Sequence, residues 1–174
     1  MRKWYILAPL IAITGGLFGI LTAGVEETKY IGFFGPFIAA PLIEEALKPA
    51  GVYLLLAKKP AALRSQLYTA FLTGLAGLSF GIIESIVYVT IYARYSPVKD
   101  TAAFITWRFT ICLLLHTVCS FIVGYGINLR LLASVRGDLP FLQGNWKYYL
   151  IPVAIHAAYN ISVTVLTILN LMPV

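Results

Sequence analysis

Charged residues are scarce in this chain. Asp, Glu, Lys and Arg make up 11% of its 174 residues, whereas about 25% is usual for a soluble domain. Hydrophobic residues make up 60%, and the mean hydropathy is +0.85. So little polar surface argues against intrinsic disorder, a nucleic-acid-binding module and a water-soluble intracellular enzyme. The composition predicts a polytopic membrane protein.

Cysteine is also scarce. Cys112 and Cys119 fall in one apolar run. As helical residues they are separated by about 10 Å along the axis, beyond the reach of a disulfide at about 7 Å. The two thiols therefore say nothing about redox compartment.

The net charge of +6 comes from short basic clusters between the apolar runs. That placement is typical of membrane topology signals, so no nucleic-acid partner is expected.

Five apolar runs are long enough to cross a bilayer, which takes about 20 residues. They cover residues 4–25, 30–57, 65–93, 109–129 and 148–174. The first run is too long for the core of a signal peptide and lacks a convincing cleavage site, so we interpret it as a retained anchor. The sequence predicts an all-α, polytopic transmembrane helical bundle, with residues 1–174 forming a single transmembrane domain.

Basic residues are distributed unevenly between the two sides that five spans define. With the N-terminus inside, the inner segments hold eight of them: Arg2, Lys3, Lys58, Lys59, Arg64, Arg130, Arg136 and Lys147. The outer segments hold four: Lys29, Arg94, Lys99 and Arg108. This excess predicts that the N-terminus lies inside and the C-terminus outside.

Ionisable side chains inside the apolar runs are the informative exceptions. The second run contains Glu44, Glu45 and Lys48, and the third contains Glu84. A charged group near the bilayer centre costs about 2.5–3.5 kcal/mol. Hydrogen bonding between helices accounts for one polar residue per helix, but it accounts poorly for three carboxylates. A shared functional site is the better interpretation.

The only two histidines of the chain, His116 and His156, also fall inside predicted spans. Three glutamates and one lysine leave a charge of −2, which a low-dielectric site does not hold uncompensated. Either two carboxyl groups are protonated or a divalent cation supplies the missing charge. Two imidazoles and one carboxylate are a suitable ligand set for zinc with one open position.

Helical spacing indicates which of these groups share a face. Lys48 follows Glu44 by four residues and Glu45 by three, so it can pair with either. Two further pairs have the four-residue spacing that places both side chains on one face, namely His116 with Ser120 and His156 with Asn160. We expect the second, third, fourth and fifth spans to form the site together, with the first span at the periphery. Counted from the ends of the runs, the groups differ in depth by about 10 Å.

Four short motifs occur in order along the chain: Glu44-Glu45-Ala-Leu-Lys48, Phe80-Gly-Ile-Ile-Glu84, His116-Thr-Val-Cys-Ser120 and His156-Ala-Ala-Tyr-Asn160. They resemble the EExxK, FxxxE and two later histidine motifs of PrsW-type intramembrane proteases. The same superfamily contains the CAAX prenyl proteases and the non-proteolytic scaffold subunit of gamma-secretase. Lys48 and Glu84 resemble the PrsW pattern, and the glutamate pair, which the scaffold lacks, favours an active enzyme.

This resemblance implies an intramembrane endopeptidase. Its substrates are expected to be membrane proteins or membrane-anchored peptides, and its biological setting to be regulated intramembrane proteolysis. It implies an integral protein of the lipid bilayer, which we expect to be the plasma membrane of a prokaryote.

The resemblance and the chemistry together suggest roles for the polar residues. Glu44 is expected to be the general base that activates water. Glu45 is expected to be the structural partner of Lys48. Glu84 and His116 would bind a metal or orient the water.

The last motif and its neighbours complete the expected site. His156 and Asn160 would finish the metal site or donate hydrogen bonds to the oxyanion, with Ser120 in support. The candidate ligands of a divalent metal such as zinc are Glu84, His116 and His156. The sequence leaves open whether a metal takes part, because glutamate and histidine can also activate water without one.

Two other classes of function compete with this interpretation. Gly77-Leu-Ser79-Phe-Gly81 spells the GxSxG pattern of serine hydrolases, and Ser79 could serve a rhomboid-like serine protease. That pattern requires a strand–turn–helix context, which a membrane helix does not offer. The other class is a non-proteolytic scaffold or a small proton- or cation-coupled transporter. Inverted repeats would favour a transporter, and the sequence shows none.

Overall fold

The computed structural model describes residues 3–27, 29, 32, 34–92, 98, 100–140 and 145–172. All regular structure in these ranges is helical, as the apolar runs predict. The α-helices are α1 Trp4–Glu27, α2 Ala40–Leu47, α3 Ala50–Lys58, α4 Gln66–Val87, α5 Thr101–Trp107, α6 Leu113–Gly126, α7 Leu129–Val135 and α8 Lys147–Ile168. Wider π-helical turns lie before α2, after α4 and between α5 and α6, at Gly35–Ala39, Tyr88–Tyr92 and Arg108–Cys112.

Within the described ranges, four helical stretches are long and apolar enough to cross a membrane: Trp4–Glu26, Gln66–Ile91, Thr101–Gly126 and Lys147–Ile168. They correspond to the first, third, fourth and fifth predicted spans. The fourth begins at Thr101 and not at Phe109, because the Asp100 carboxylate accepts a hydrogen bond from the Ala103 amide at 3.0 Å and caps the helix. Part of the expected connection between the third and fourth spans is therefore helical.

The second predicted span is a broken helix. The π-helical turn Gly35–Ala39 leads into α2, and α3 begins at Ala50 after a turn at Lys48 and Pro49. Proline has no amide hydrogen, so Pro49 cannot donate to the carbonyl of Glu45 and the helix ends there. Each piece is shorter than a bilayer crossing, and α2 carries both glutamates of the first motif.

Helix α1 packs against this break. A Cβ atom at Gly19 would lie 2.8 Å from the carbonyl oxygen of Leu47, and one at Gly15 would collide with the backbone of Gly51. On another side, the Ser79 hydroxyl of α4 donates to the Ile13 carbonyl at 3.0 Å. The first span, expected at the periphery of the polar site, thus packs closely through Gly15 and Gly19, because glycines let the α1 backbone approach its neighbours.

Helices α4 and α6 approach each other through small residues as well. A Cβ atom at Gly77 would collide with the His116 carbonyl and with Ser120, and one at Gly124 would collide with Thr73 and the Ala70 backbone. The glycine-rich face of α4 thus brings α6 close enough for their polar side chains to meet.

We expect Gly15→Val to destabilise the protein by about 1–3 kcal/mol, the usual cost of overpacking. The reason is that the new side chain meets the Gly51 backbone, which cannot rotate away. The measurement is thermal unfolding in detergent. Gly24→Val, on the same helix, is the control, because a Cβ atom there meets nothing within 4 Å. Equal midpoints for the two variants would contradict this packing.

Candidate active site

Lys48 lies fully buried between the two glutamates of α2. Its ammonium is 2.7 Å from Glu45 Oε1 and 3.1 Å from Glu44 Oε2. The ammonium also lies 4.8 Å from the centre of the Phe80 ring. The expected pairing of Glu45 with Lys48 is present, and Glu44 shares the same cation. The pairing holds the Glu44 carboxylate in place inside the bundle.

His116 extends from α6 between two glutamates. Its Nε2 atom contacts Glu84 Oε2 of α4, and its Nδ1 atom lies 3.7 Å from Glu44 Oε2. The imidazole is buried. Because Glu84 is close enough to accept a hydrogen bond from Nε2, the lone pair of Nδ1 is left to face Glu44.

His156 extends from α8 to the opposite side of Glu44. Its Nδ1 atom is 3.0 Å from Glu45 Oε1, and its Nε2 atom is 3.9 Å from Glu44 Oε2. The two imidazole rings meet edge to face with centroids 5.3 Å apart. Each ring therefore has one nitrogen on a carboxylate and the other turned toward Glu44 Oε2.

The structure brings the side chains of Glu44, Glu84, His116 and His156 together in one cluster. The expected difference in depth between these groups is absent, because the helices begin and end at other residues than the apolar runs do. With a first residue at Thr101, His116 falls near the middle of its stretch rather than near one end. With an end at Ile168, His156 falls near the middle of α8.

Glu44, His116 and His156 form a group that could hold a metal ion, since their ligand atoms lie within 4.8 Å of one another. A tetrahedral zinc ion keeps its ligand atoms about 3.3 Å apart, given bonds of about 2.0–2.1 Å. The observed 3.7 and 3.9 Å are close to that spacing. His116 Nδ1 is also buried without a hydrogen-bond partner among the described residues, and Glu44 Oε2 lies 3.1 Å from the Lys48 ammonium. These acceptors fit a cation between them.

The carboxylate of this group is Glu44, whereas the sequence suggested Glu84. Glu84 Oε2 contacts the far nitrogen of His116 and lies 3.2 Å from Arg108 Nη2. A carboxylate on the second nitrogen of a metal-binding histidine is the usual orienting arrangement. The geometry thus favours Glu84 as the group that orients His116, and Glu45 as its counterpart at His156.

Sequence reasoning missed Arg108, which it placed in an outer connection. The structure buries Arg108 beside Glu84 at the first residue of the π-helical turn. Three carboxylates against two cations leave a charge of −1 rather than −2. The charge argument for a divalent cation is therefore weaker than the sequence suggested, and the case for a metal depends on the ligand atoms. Asp100, as a helix-capping residue, could have indicated this position, because a helix that begins at Thr101 continues through Arg108.

Comparison with protein families matches residues 4–174 to the PrsW family of intramembrane metalloproteases. The chain belongs to this family. It is an integral membrane protein, in agreement with its four long apolar helices. Neither a curated protein nor a solved structure gives a match.

Two further PrsW-type positions lie apart from the ligand group. Asn160 Nδ2 donates to the Pro36 carbonyl at 2.8 Å. In a π-helical turn that carbonyl would accept from residue 41, which is proline and has no amide hydrogen, so Asn160 supplies the missing donor. Ser120 is buried against Gly77, and its hydroxyl has no hydrogen-bond partner among the described residues. Among the described residues, no hydrogen bond or ion pair is found from either side chain to Glu44, His116 or His156.

Ser79, the serine of the GxSxG pattern, lies on the face of α4 that packs against α1. Its hydroxyl donates to the Ile13 carbonyl of α1 at 3.0 Å and lies 2.9 Å from the Ala76 carbonyl of its own helix. No imidazole contact is found for it within the described ranges. In this PrsW-family protein, the hydrogen bond of Ser79 links α4 to α1.

Lys48→Met should lower stability strongly, because it leaves two buried carboxylates without their cation. Breaking a buried pair on one side costs about 3–5 kcal/mol. Thermal unfolding and folded yield in detergent measure the loss, and Lys48→Arg should lose less because it keeps the charge. Lys29→Met is the control, since its pair with Glu26 is exposed and such pairs contribute about 0–1 kcal/mol. Similar yields of the two Lys48 variants would contradict the buried pairing.

Ser79→Ala should leave proteolytic activity close to wild type, because the hydroxyl proton that is lost bonds only backbone carbonyl groups. A stability loss of about 1 kcal/mol is expected. The measurement is the initial cleavage rate of a single-span substrate by purified protein. Complete loss of cleavage in a folded Ser79→Ala variant would restore the serine-protease interpretation.

Proposed function

We propose that this protein hydrolyses peptide bonds within or beside the membrane, using a divalent metal held by Glu44, His116 and His156. The single observation that supports this is the shared position of Glu44 Oε2, which faces one nitrogen of each imidazole. Zinc is the metal whose ligand preferences match this set, with three protein ligands and one open position. When bound, such an ion lowers the pKa of water at its open position to about 7.

The protein's own residues prepare this site. Lys48 fixes Glu44 through a buried ion pair, and Glu45 holds His156 through Nδ1. Glu84 holds His116 through Nε2 and has a side chain that is 18% exposed, the most open of the three glutamates. Water can therefore reach the Glu84 side chain more readily than that of Glu45, which is fully buried.

The general-base role expected for Glu44 belongs to the metal-free version of this mechanism. In that version Glu44 takes a proton from a water that the same two imidazoles orient, with the water placed beside the three groups. The metal version is favoured because both imidazoles have their second nitrogen on a carboxylate, as is usual for metal ligands.

We propose as substrates membrane proteins or membrane-anchored peptides, in the setting of regulated intramembrane proteolysis. The family assignment and the positions of Glu84, His116 and His156 on the long apolar helices support this class. We further propose a plasma membrane of a prokaryote, with the N-terminus inside and the C-terminus outside. The excess of basic residues in the inner segments supports that orientation.

Glu44→Gln, His116→Ala and His156→Ala should each slow cleavage of single-span substrates by about 100-fold or more, the scale of removing a group that acts in the transition state. Purified wild-type protein should carry about one zinc per chain, and each variant should carry less. Glu26→Gln is the control, because Glu26 lies in an exposed pair.

If all three variants cleave as fast as wild type, the proposal is wrong. If the variants are inactive but the wild type holds no metal and tolerates a chelator, the metal-free version with Glu44 as base is the correct one.

A further inference from the structure

Arg108 occupies a position that none of the four motifs includes, yet it contacts the cluster. Its guanidinium is buried, and Nη2 lies 3.2 Å from Glu84 Oε2. That oxygen is the one that contacts His116 Nε2. A direct chain of contacts therefore runs from Arg108 through Glu84 to His116 and ends at His116 Nδ1, which faces Glu44.

Helix α4 and the turn after it hold Arg108 at three places. Glu84 pairs with the guanidinium, and the Ser85 hydroxyl donates to the Arg108 carbonyl at 3.1 Å. The Tyr88 ring lies 4.1 Å from the guanidinium carbon. These contacts fix both the backbone and the guanidinium of Arg108. The ion pair alone would be enough to neutralise the Glu84 carboxylate.

We propose that Arg108 is a positioning residue, which fixes Glu84 so that His116 Nδ1 stays directed at the metal. This inference rests on the proposed metal site. A carboxylate that accepts from Nε2 keeps the proton there and leaves Nδ1 with its lone pair. Without Arg108, the Glu84 carboxylate loses its cation in a buried site, and the acceptor that orients His116 is no longer fixed.

The role needs the positive charge of Arg108 and not its side-chain bulk. Arg108→Met keeps the apolar length but removes the cation, whereas Arg108→Lys keeps a cation within reach of Glu84. Arg136 is exposed on the segment after α7 and offers a matched control for loss of an arginine.

The experiment is a titration of the purified, metal-free full chain in detergent with Co²⁺, followed by visible absorption. Arg108→Met should bind Co²⁺ about 10–100-fold more weakly than wild type, the usual loss for a residue that orients a metal ligand. Arg108→Lys should recover most of that affinity, and Arg136→Met should bind as wild type does. Equal affinity of wild type and Arg108→Met would overturn the inference.

A double-variant cycle tests the route through Glu84. In a Glu84→Gln background, Arg108→Met should cause no further loss, because the acceptor it fixes is already changed. Independent, additive losses would overturn the inference, since Arg108 would then act without Glu84. The double variant leaves neither charge unpaired, so its affinity can be compared with that of Glu84→Gln even if Arg108→Met alone fails to fold.

The two proposals fail in different ways. A wild-type chain that binds neither Co²⁺ nor Zn²⁺ would overturn the metal site itself. A wild-type chain that binds Co²⁺ with an affinity that Arg108→Met does not change would leave the metal site standing and remove only the role of Arg108.

Discussion

The rest of the site depends on the ion pairs that the buried Lys48 ammonium forms with Glu44 and Glu45. Two carboxylates on one short helix cannot both remain charged in a low-dielectric interior without a cation between them. Lys48 follows them on the same helix and contacts both. Because this pairing is local to one turn, Glu44 and Glu45 keep fixed directions, and α6 and α8 can place their imidazoles against them.

The cluster has the same arrangement on both sides of Glu44. One imidazole is held by Glu45 and the other by Glu84, and each presents its remaining nitrogen to the same oxygen. The three glutamates therefore have different surroundings. Glu45 shares one oxygen between Lys48 and His156, whereas Glu84 has an arginine as its cation and is partly exposed. Four helical segments must be in place before all of these contacts exist.

Much of the fold and the site could be predicted, because a charge in an apolar run is costly and therefore informative. Glu44, Lys48, His116 and His156 stand out for that reason alone. The pairing of ring nitrogens could not be predicted, since it depends on how helices rotate against each other. Arg108 was missed because a hydropathy run begins after it, although the Asp100 cap marked the true start of the helix. The structural role of Asn160 depends on the π-helical turn before α2, which leaves no trace in hydropathy.

The break at Pro49 has a consequence for how this protein enters the membrane. Helix α2 is about 12 Å long and α3 about 14 Å, and each is far shorter than the hydrocarbon core of about 30 Å. The segment also carries Glu44, Glu45 and Lys48 away from its ends, so it partitions poorly into lipid as an isolated helix. Its glycine-rich partner α1 precedes it in the chain and is synthesised first. The placement of this segment in the membrane therefore depends on α1, which is already present and packs against it through Gly15 and Gly19.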